Sequence, residues 1–269
     1  MKNILLPTDF SENAESAISY AIQLFKNEIC TFYILHAYTF APSSSYTKIT
    51  AAEDLNKTVK LLKENSDNKN HSFESIMVMD SLLSIINKTI INYEIDFVIM
   101  GTRGSSAIKE VFFGSNTLDI IRYVYNCPVI AIPPNYKGEE LKEIVIATDL
   151  KHSFKALELT PLKTITKINN ATLNIARIKS NAVVTTEQQA NKESLRNSLK
   201  DTTHQFFEVD PQGSVSSTLI KLEKENSNIG LIALLKTTHG FFNNLTREAV
   251  IKNMVYKTKI PLLILPKFE

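Results

Sequence analysis

Glycine is used sparingly in this sequence. There are 7 in 269 residues, well below the ordinary share of about 7%, and none lies in the first hundred positions. Cysteine is scarcer, with only Cys30 and Cys127. Two isolated thiols exclude a disulfide scaffold or a thiolate zinc site and imply a reduced, cytoplasmic setting. Neither sign of charge dominates: 30 basic residues stand against 28 acidic ones, a net of +2. That leaves no electrostatic case for nucleic acid or an anionic membrane as the main partner. No apolar run approaches the ~18–20 residues of a membrane span. The stretch Ile4-Leu5-Leu6 stops at Pro7, too short for the core of a signal peptide.

What remains is the composition of a folded protein, 43% apolar and 22% charged, outside the range of disordered chains. The length of 269 residues fits about two domains at roughly 150 residues each. The two halves repeat. Ile4-Leu5-Leu6-Pro7-Thr8-Asp9 returns as Ile144-Val145-Ile146-Ala147-Thr148-Asp149, and Pro128-Val129-Ile130-Ala131-Ile132-Pro133 returns as Pro261-Leu262-Leu263-Ile264-Leu265-Pro266. A beginning and an end recurring in order indicate tandem duplication. Pro134 to Glu140 carries the Pro, Gly and charge of a linker, which divides the chain into residues 1–136 and 141–269.

Within the first half, short strands rich in Ile, Val, Leu and Phe are expected at 3–8, 31–38, 72–78, 95–100 and 128–132. Helical patterns separate them. The clearest runs Ala14, Ala17, Ile18, Ala21, Ile22, Phe25 behind Ser11 as N-cap. Others are expected near 50–66, over Leu82 to Ile90, and from Ser115, burying Leu118, Ile121 and Val124. The second half repeats this with strands near 142–148, 171–178, 205–209, 229–235 and 261–265, and Pro161 should shorten or kink its first helix. Alternating strands and helices predict an α/β protein: two tandem units, each an open five-stranded parallel sheet with helices on both faces.

Three of the few glycines cluster. Met100-Gly101-Thr102-Arg103-Gly104 follows the fourth strand, and Gly114-Ser115-Asn116 opens the fourth helix. The carboxyl edge of a parallel sheet is where ligands bind, and a helix amino end offers unpaired N–H groups and a positive dipole to phosphate. Gly114 lets backbone approach an anion, Ser115 supplies a hydroxyl, and Arg103 or Lys109 supplies charge. Gly101 and Gly104 are read as letting the chain turn tightly beneath a sugar and phosphates. The spacing Gly-x2-Gly-x9-Gly-Ser is neither a P-loop nor Gly-x-Gly-x-x-Gly. The five histidines show no metal-ligand spacing, and no Gly-x-Ser-x-Gly nucleophile elbow exists.

The Gly-x2-Gly-x9-Gly-Ser loop, with Pro7-Thr8-Asp9-Phe10-Ser11 after the first strand and His36-Ala37 at the end of the second, resembles the universal stress protein family in its ATP-binding branch. The resemblance covers both halves. It implies Rossmann-like domains of the adenine nucleotide alpha hydrolase type. It also implies a site lined by Pro7, Thr8, Asp9, Ala37, Met100, Gly101, Arg103, Gly104, Gly114, Ser115 and Asn116, holding ATP, with Mg²⁺ accompanying the phosphates. Asp9 would lie on the ribose and adenine side. A stress-response or signalling role follows from the resemblance, as does pairing through the last strand, internally as a pseudo-dimer or between copies as a homodimer. Slow hydrolysis or self-phosphorylation is compatible with it, although no general base is evident. Two alternatives stay open: a nucleotide-dependent hydrolase or transferase, and a scaffold without nucleotide whose second domain holds another ligand. The second half has lost the glycines. Aligned from Pro261 against Pro128, Leu234, Thr237, Arg247 and Glu248 replace Gly101, Gly104, Gly114 and Ser115. A carboxylate at that helix start repels phosphates, so nucleotide is expected in the first domain only.

Overall fold

The structure, a computed structural model, describes residues 1–38, 47–104, 115–179, 183–236 and 247–267. They form two compact units, Met1–Gly138 and Glu139–Glu269.

The first unit runs β1 (Lys2–Pro7), α1 (Glu12–Leu24), β2 (Cys30–Ala37), α2 (Lys48–Asn65), β3 (His71–Val78), α3 (Leu82–Asn92), β4 (Phe97–Gly101), α4 (Ser115–Tyr123) and β5 (Val129–Ile132). Its strands lie in the order β3-β2-β1-β4-β5, every pair parallel. Position in the sheet explains composition. Ile4, Leu5 and Leu6 of the central strand β1 are fully buried, the continuous apolar run of a strand covered on both faces. The outer strand β3 buries Phe73 while its neighbours Ser72 and Glu74 are exposed, and it stays polar where it meets water.

The helices start where their side chains satisfy the first free N–H groups. Ser11 Oγ accepts from Ala14 N at 3.3 Å, and Glu12 and Glu15 sit in the first turn of α1, where the dipole favours them. Thr47 and Thr50 cap α2 reciprocally, and Ser81 caps α3. The apolar stripe of α1, including Ala14, Ala17, Ile18 and Ala21, is buried. In α4 the buried set is Thr117, Ile120, Ile121 and Val124, and Leu118 is half-exposed. The expected stripe is thus rotated by about one position, because Thr117 turns inward to bond the end of β4.

The second unit runs β6 (Glu143–Thr148), α5 (Ala156–Ile168), β7 (Thr172–Ile178), α6 (Thr186–Ser198), β8 (His204–Val209), α7 (Val215–Glu225), β9 (Ile229–Leu235), α8 (Arg247–Lys257) and β10 (Leu262–Leu265). Its sheet follows the same plan, β8-β7-β6-β9-β10, in parallel pairs. Pro161 does not shorten α5: the helix has 13 residues, as α1 does. Proline removes one bond, to the carbonyl of Leu157, a residue 63% exposed, where water can replace the missing donor.

The repeat extends to an unusual backbone geometry. Phe10 and Leu150 adopt φ of 61° and 62°, a left-handed conformation that costs a bulky side chain roughly 1–2 kcal/mol. Each follows a Thr-Asp pair in which the threonine hydroxyl accepts from the left-handed residue's N–H, at 3.0 Å from Phe10 and 2.9 Å from Leu150. The aspartate Oδ1 then accepts from the next N–H, 3.2 Å from Ser11 and 3.0 Å from Lys151. No helix of the described residues is long and apolar enough to cross a membrane.

Candidate functional site

In the first unit the chain leaves β1 in one direction across the sheet, towards β2 and β3, and leaves β4 in the other, towards β5. The connections after β1 and β4 therefore diverge at the carboxyl edge, which opens a crevice there. Thr8, Asp9 and Ser11 follow β1. Gly101, Arg103 and Gly104 end β4 and continue it.

A small hydrogen-bond system fixes the β1 side. Thr8 N donates to Leu35 O at 2.8 Å. The Thr8 carbonyl lies 2.8 Å from His36 Nδ1, and the His36 ring packs on Phe10 with centroids 4.6 Å apart. This packing offsets the strained φ of Phe10. Asp9 Oδ1 accepts from Ser11 Oγ at 2.6 Å as well as from Ser11 N. The same serine therefore caps α1 and orients the carboxylate.

The β4 side is pressed against that turn, and this is what its glycines accomplish. A Cβ on Gly104 would lie 2.8 Å from Asp9 Oδ2. A Cβ on Gly101 would lie 2.8 Å from the Asn13 amide and 2.9 Å from its backbone carbonyl. Neither glycine has a positive φ; among the described glycines only Gly138 and Gly213 do. The reading of Gly101 and Gly104 as tight-turn glycines is thus corrected: both are needed for close approach, to Asn13 and to Asp9.

Asn13, absent from the expected site, joins these pieces. It is 7% exposed. Its Oδ1 accepts from Arg103 N at 2.8 Å, and its Nδ2 donates to the Ile132 and Pro133 carbonyls at 3.2 and 3.3 Å. One amide thereby ties α1, the loop after β4 and the end of β5. Thr117 adds a second tie, its hydroxyl donating to Gly101 O at 3.0 Å, so that the first turn of α4 is held to the end of β4. Sequence carried a signal for both. Asn13 is a polar residue at the head of an apolar helix stripe, and Thr117 begins the i, i+3, i+4, i+7 series completed by Ile120, Ile121 and Val124.

Of the other expected residues, Pro7 and Thr8 are buried at the end of β1, and Met100 is 5% exposed within β4, so only backbone of Met100 can face a ligand. Register pairs Pro7 with Leu35, which puts Ala37 level with Asp9 on the adjacent strand. Arg103 and Gly104 are exposed, Asp9 is half-exposed, and Asn116 is exposed in the first turn of α4. Ser115 begins α4. Gly114 and Lys109 lie outside the described residues. Among the described residues, no three His, Cys, Asp or Glu side chains gather as a cation site.

The equivalent edge of the second unit differs. Asp149 is 5% exposed. Its turn lies beneath α6: Gln188 Nε2 donates to Asp149 O at 2.7 Å and Asn191 Nδ2 to Leu150 O at 2.9 Å. Lys236 follows β9, and burial pulls its amine down to about 8.

Comparison with known proteins agrees with this architecture. The model of the universal stress protein family matches residues 1–133. A universal stress protein of Methanocaldococcus jannaschii is 27% identical over 154 residues, covering 49% of this chain and 94% of that protein. Over the full length, a crystal structure of a universal stress protein from Archaeoglobus fulgidus DSM 4304 superposes with a TM-score of 0.69 at 17% identity, covering 99% of this chain and 97% of the other. A functionally unknown protein from Pseudomonas aeruginosa PAO1 superposes with a TM-score of 0.64 at 13% identity, covering 99% and 92%. At such identities the two structures establish the shared fold. Residues 1–133 of this chain thus form a universal-stress-protein-like domain.

Proposed function

We propose that this chain is a nucleotide-responsive stress protein that binds ATP at the carboxyl edge of its first unit, alongside the touching Asp9 and Gly104, and there only. The observation that carries the reading is the approach of Gly104 to Asp9: a Cβ at position 104 would press on the carboxylate from 2.8 Å, so glycine keeps room beside it. A half-exposed carboxylate at the switch point of a parallel sheet suits the hydroxyls of a ribose, which need acceptors. The backbone beyond β2 at Ala37 would meet the base. The amino end of α4, at Ser115 and Asn116, would meet the phosphates, with Arg103 adding charge. With no cluster of protein ligands for a cation among the described residues, Mg²⁺ would enter bound to the phosphates.

Restriction to the first unit is supported by the burial of Asp149, 5% exposed, where Asp9 is half-open, and by Glu248 at the start of α8 in place of Ser115. Cytoplasmic residence is proposed on the two isolated thiols.

The test combines mass spectrometry of small molecules released from the purified, denatured chain with Gly104→Val. An adenine nucleotide should be released by the wild type. The variant should fold, because the clash is with a side-chain oxygen, Asp9 Oδ2, and not with backbone, and should lose ATP affinity by about tenfold or more, ~1.4 kcal/mol. Unchanged affinity in Gly104→Val would refute the placement.

A further inference from the structure

The second unit keeps the acidic turn and changes its neighbour. Register pairs Pro7 with Leu35 and Ala147 with Ala176, so the next residues, His36 and Arg177, occupy equivalent places at the carboxyl edges of their sheets. His36 is a ring packed on Phe10. Arg177 is a guanidinium that is 4% exposed, level with Thr148 on β6 and Glu208 on β8.

Only part of that guanidinium is satisfied. Nη1 donates to Glu208 Oε1 at 2.6 Å, while Nε and Nη2 have no hydrogen-bond partner. These two nitrogens share one edge of the planar group. Their N–H bonds point the same way, at a spacing that matches the two oxygens of a carboxylate or phosphate. Buried guanidinium donors are costly unless paired, and Arg177 cannot escape the cost by losing its proton. Glu208 does not provide a second partner. Its other oxygen lies 3.9 Å from Lys179, which also pairs with Asp210 at 2.9 Å.

The surroundings limit what can fill this edge. At the same strand ends the cations Arg177, Lys179 and Lys236 are balanced by the carboxylates Glu208, Asp210 and Asp149, so no excess positive charge is present to hold a polyanion such as a triphosphate. A single oxyanion of low charge needs no such excess. Gln188 and Asn191 hold the Thr148–Leu150 turn under the start of α6.

We propose that the second unit binds a small oxyanion, a carboxylate or a singly charged phosphate group, on the Nε/Nη2 edge of Arg177. The site is separate from the nucleotide crevice and independent of it.

The experiment uses the full-length ¹⁵N-labelled chain. The sequence has five arginines, Arg103, Arg122, Arg177, Arg196 and Arg247, so few Nε–Hε signals need resolving. The Arg177 signal is assigned by its loss in Arg177→Lys, or through bonds from its own backbone should that variant not fold. Sodium acetate and sodium phosphate are titrated separately against sodium chloride at equal ionic strength. The Arg177 signal should move saturably with at least one oxyanion and stay in place with chloride; the acetate and phosphate arms then distinguish carboxylate from phosphate. No movement, or equal movement with chloride, overturns the proposal. Movement confined to Arg103 would also overturn it, while leaving the nucleotide reading intact.

Discussion

At the scale of single residues, Asn13 has more structural consequence than its sequence neighbours suggest. Replacing it by alanine leaves the Arg103 N–H and the Ile132 and Pro133 carbonyls without the amide that now bonds them. Stranded buried polar groups cost about 1–3 kcal/mol each, partly recovered by water. Asn13→Ala should therefore destabilise the chain by roughly 2–4 kcal/mol in urea unfolding; a loss below about 0.5 kcal/mol, the scale of an ordinary surface change, would show that the amide is not the tie described. The cysteines give a residue-scale prediction of opposite character. Burial pushes the Cys30 thiol up to about 12, with Glu28 adding to it, and burial raises Cys127 as well. Neither forms thiolate near neutral pH, so a thiol reagent at pH 8 should modify no cysteine in the native chain and both after denaturation. These features were unequally legible. That Asp9 and the glycines form one constellation could be read from spacing. That Gly101 and Gly104 serve close approach to Asn13 and Asp9 could not, because the partners are some ninety positions away in sequence and meet only once α1 packs beside β4.

At the scale of elements, the strands were the most legible. Ile4-Leu5-Leu6 is apolar without alternation because both faces of the strand are covered, and this separates the central parallel strand β1 from an outer strand such as β3. Helix stripes were less secure. Leu118 was expected inside and Thr117 was not, since hydrophobicity cannot register a hydroxyl that turns inward to bond the Gly101 carbonyl. Pro161 was expected to shorten or kink α5; the helix is not shortened and keeps 13 residues, as α1 does. The cost of the ring depends on whether the carbonyl it abandons can reach water, a fact of tertiary placement. Pro161→Ala should restore the bond to Leu157 O and stabilise the protein by about 1–3 kcal/mol, read as a shift in the denaturant midpoint at unchanged slope. Destabilisation would mean that α5 relies on the rigidity of proline more than on the recovered bond.

At the scale of the molecule, one folding plan serves two chemically different edges. The Thr-Asp turn with its left-handed third residue is common to both units, as is the strand order within each. Hydrophobic pattern specifies both, so the duplication could be read from sequence. What differs is local. Asp9 is half-open with Gly104 and Arg103 beside it, whereas Asp149 is covered by α6, with Arg177 and Lys236 near the same edge. Sequence registered the loss of glycine in the second unit, but not the buried guanidinium edge, because a lone arginine in a strand reads as an exposed cation until its surroundings are known. Fold and function separate at this point: the frame tolerates either edge chemistry, and the residues on the loops decide which ligand fits.

The central claim, that a nucleotide sits beside Asp9 and Gly104 at the carboxyl edge of the first unit and nowhere else in the chain, is tested most directly by calorimetric titration of the full-length chain with Mg·ATP. The stoichiometry should be one nucleotide per chain. Two equivalent sites, or no binding at all by a chain freed of prior ligand, would contradict it.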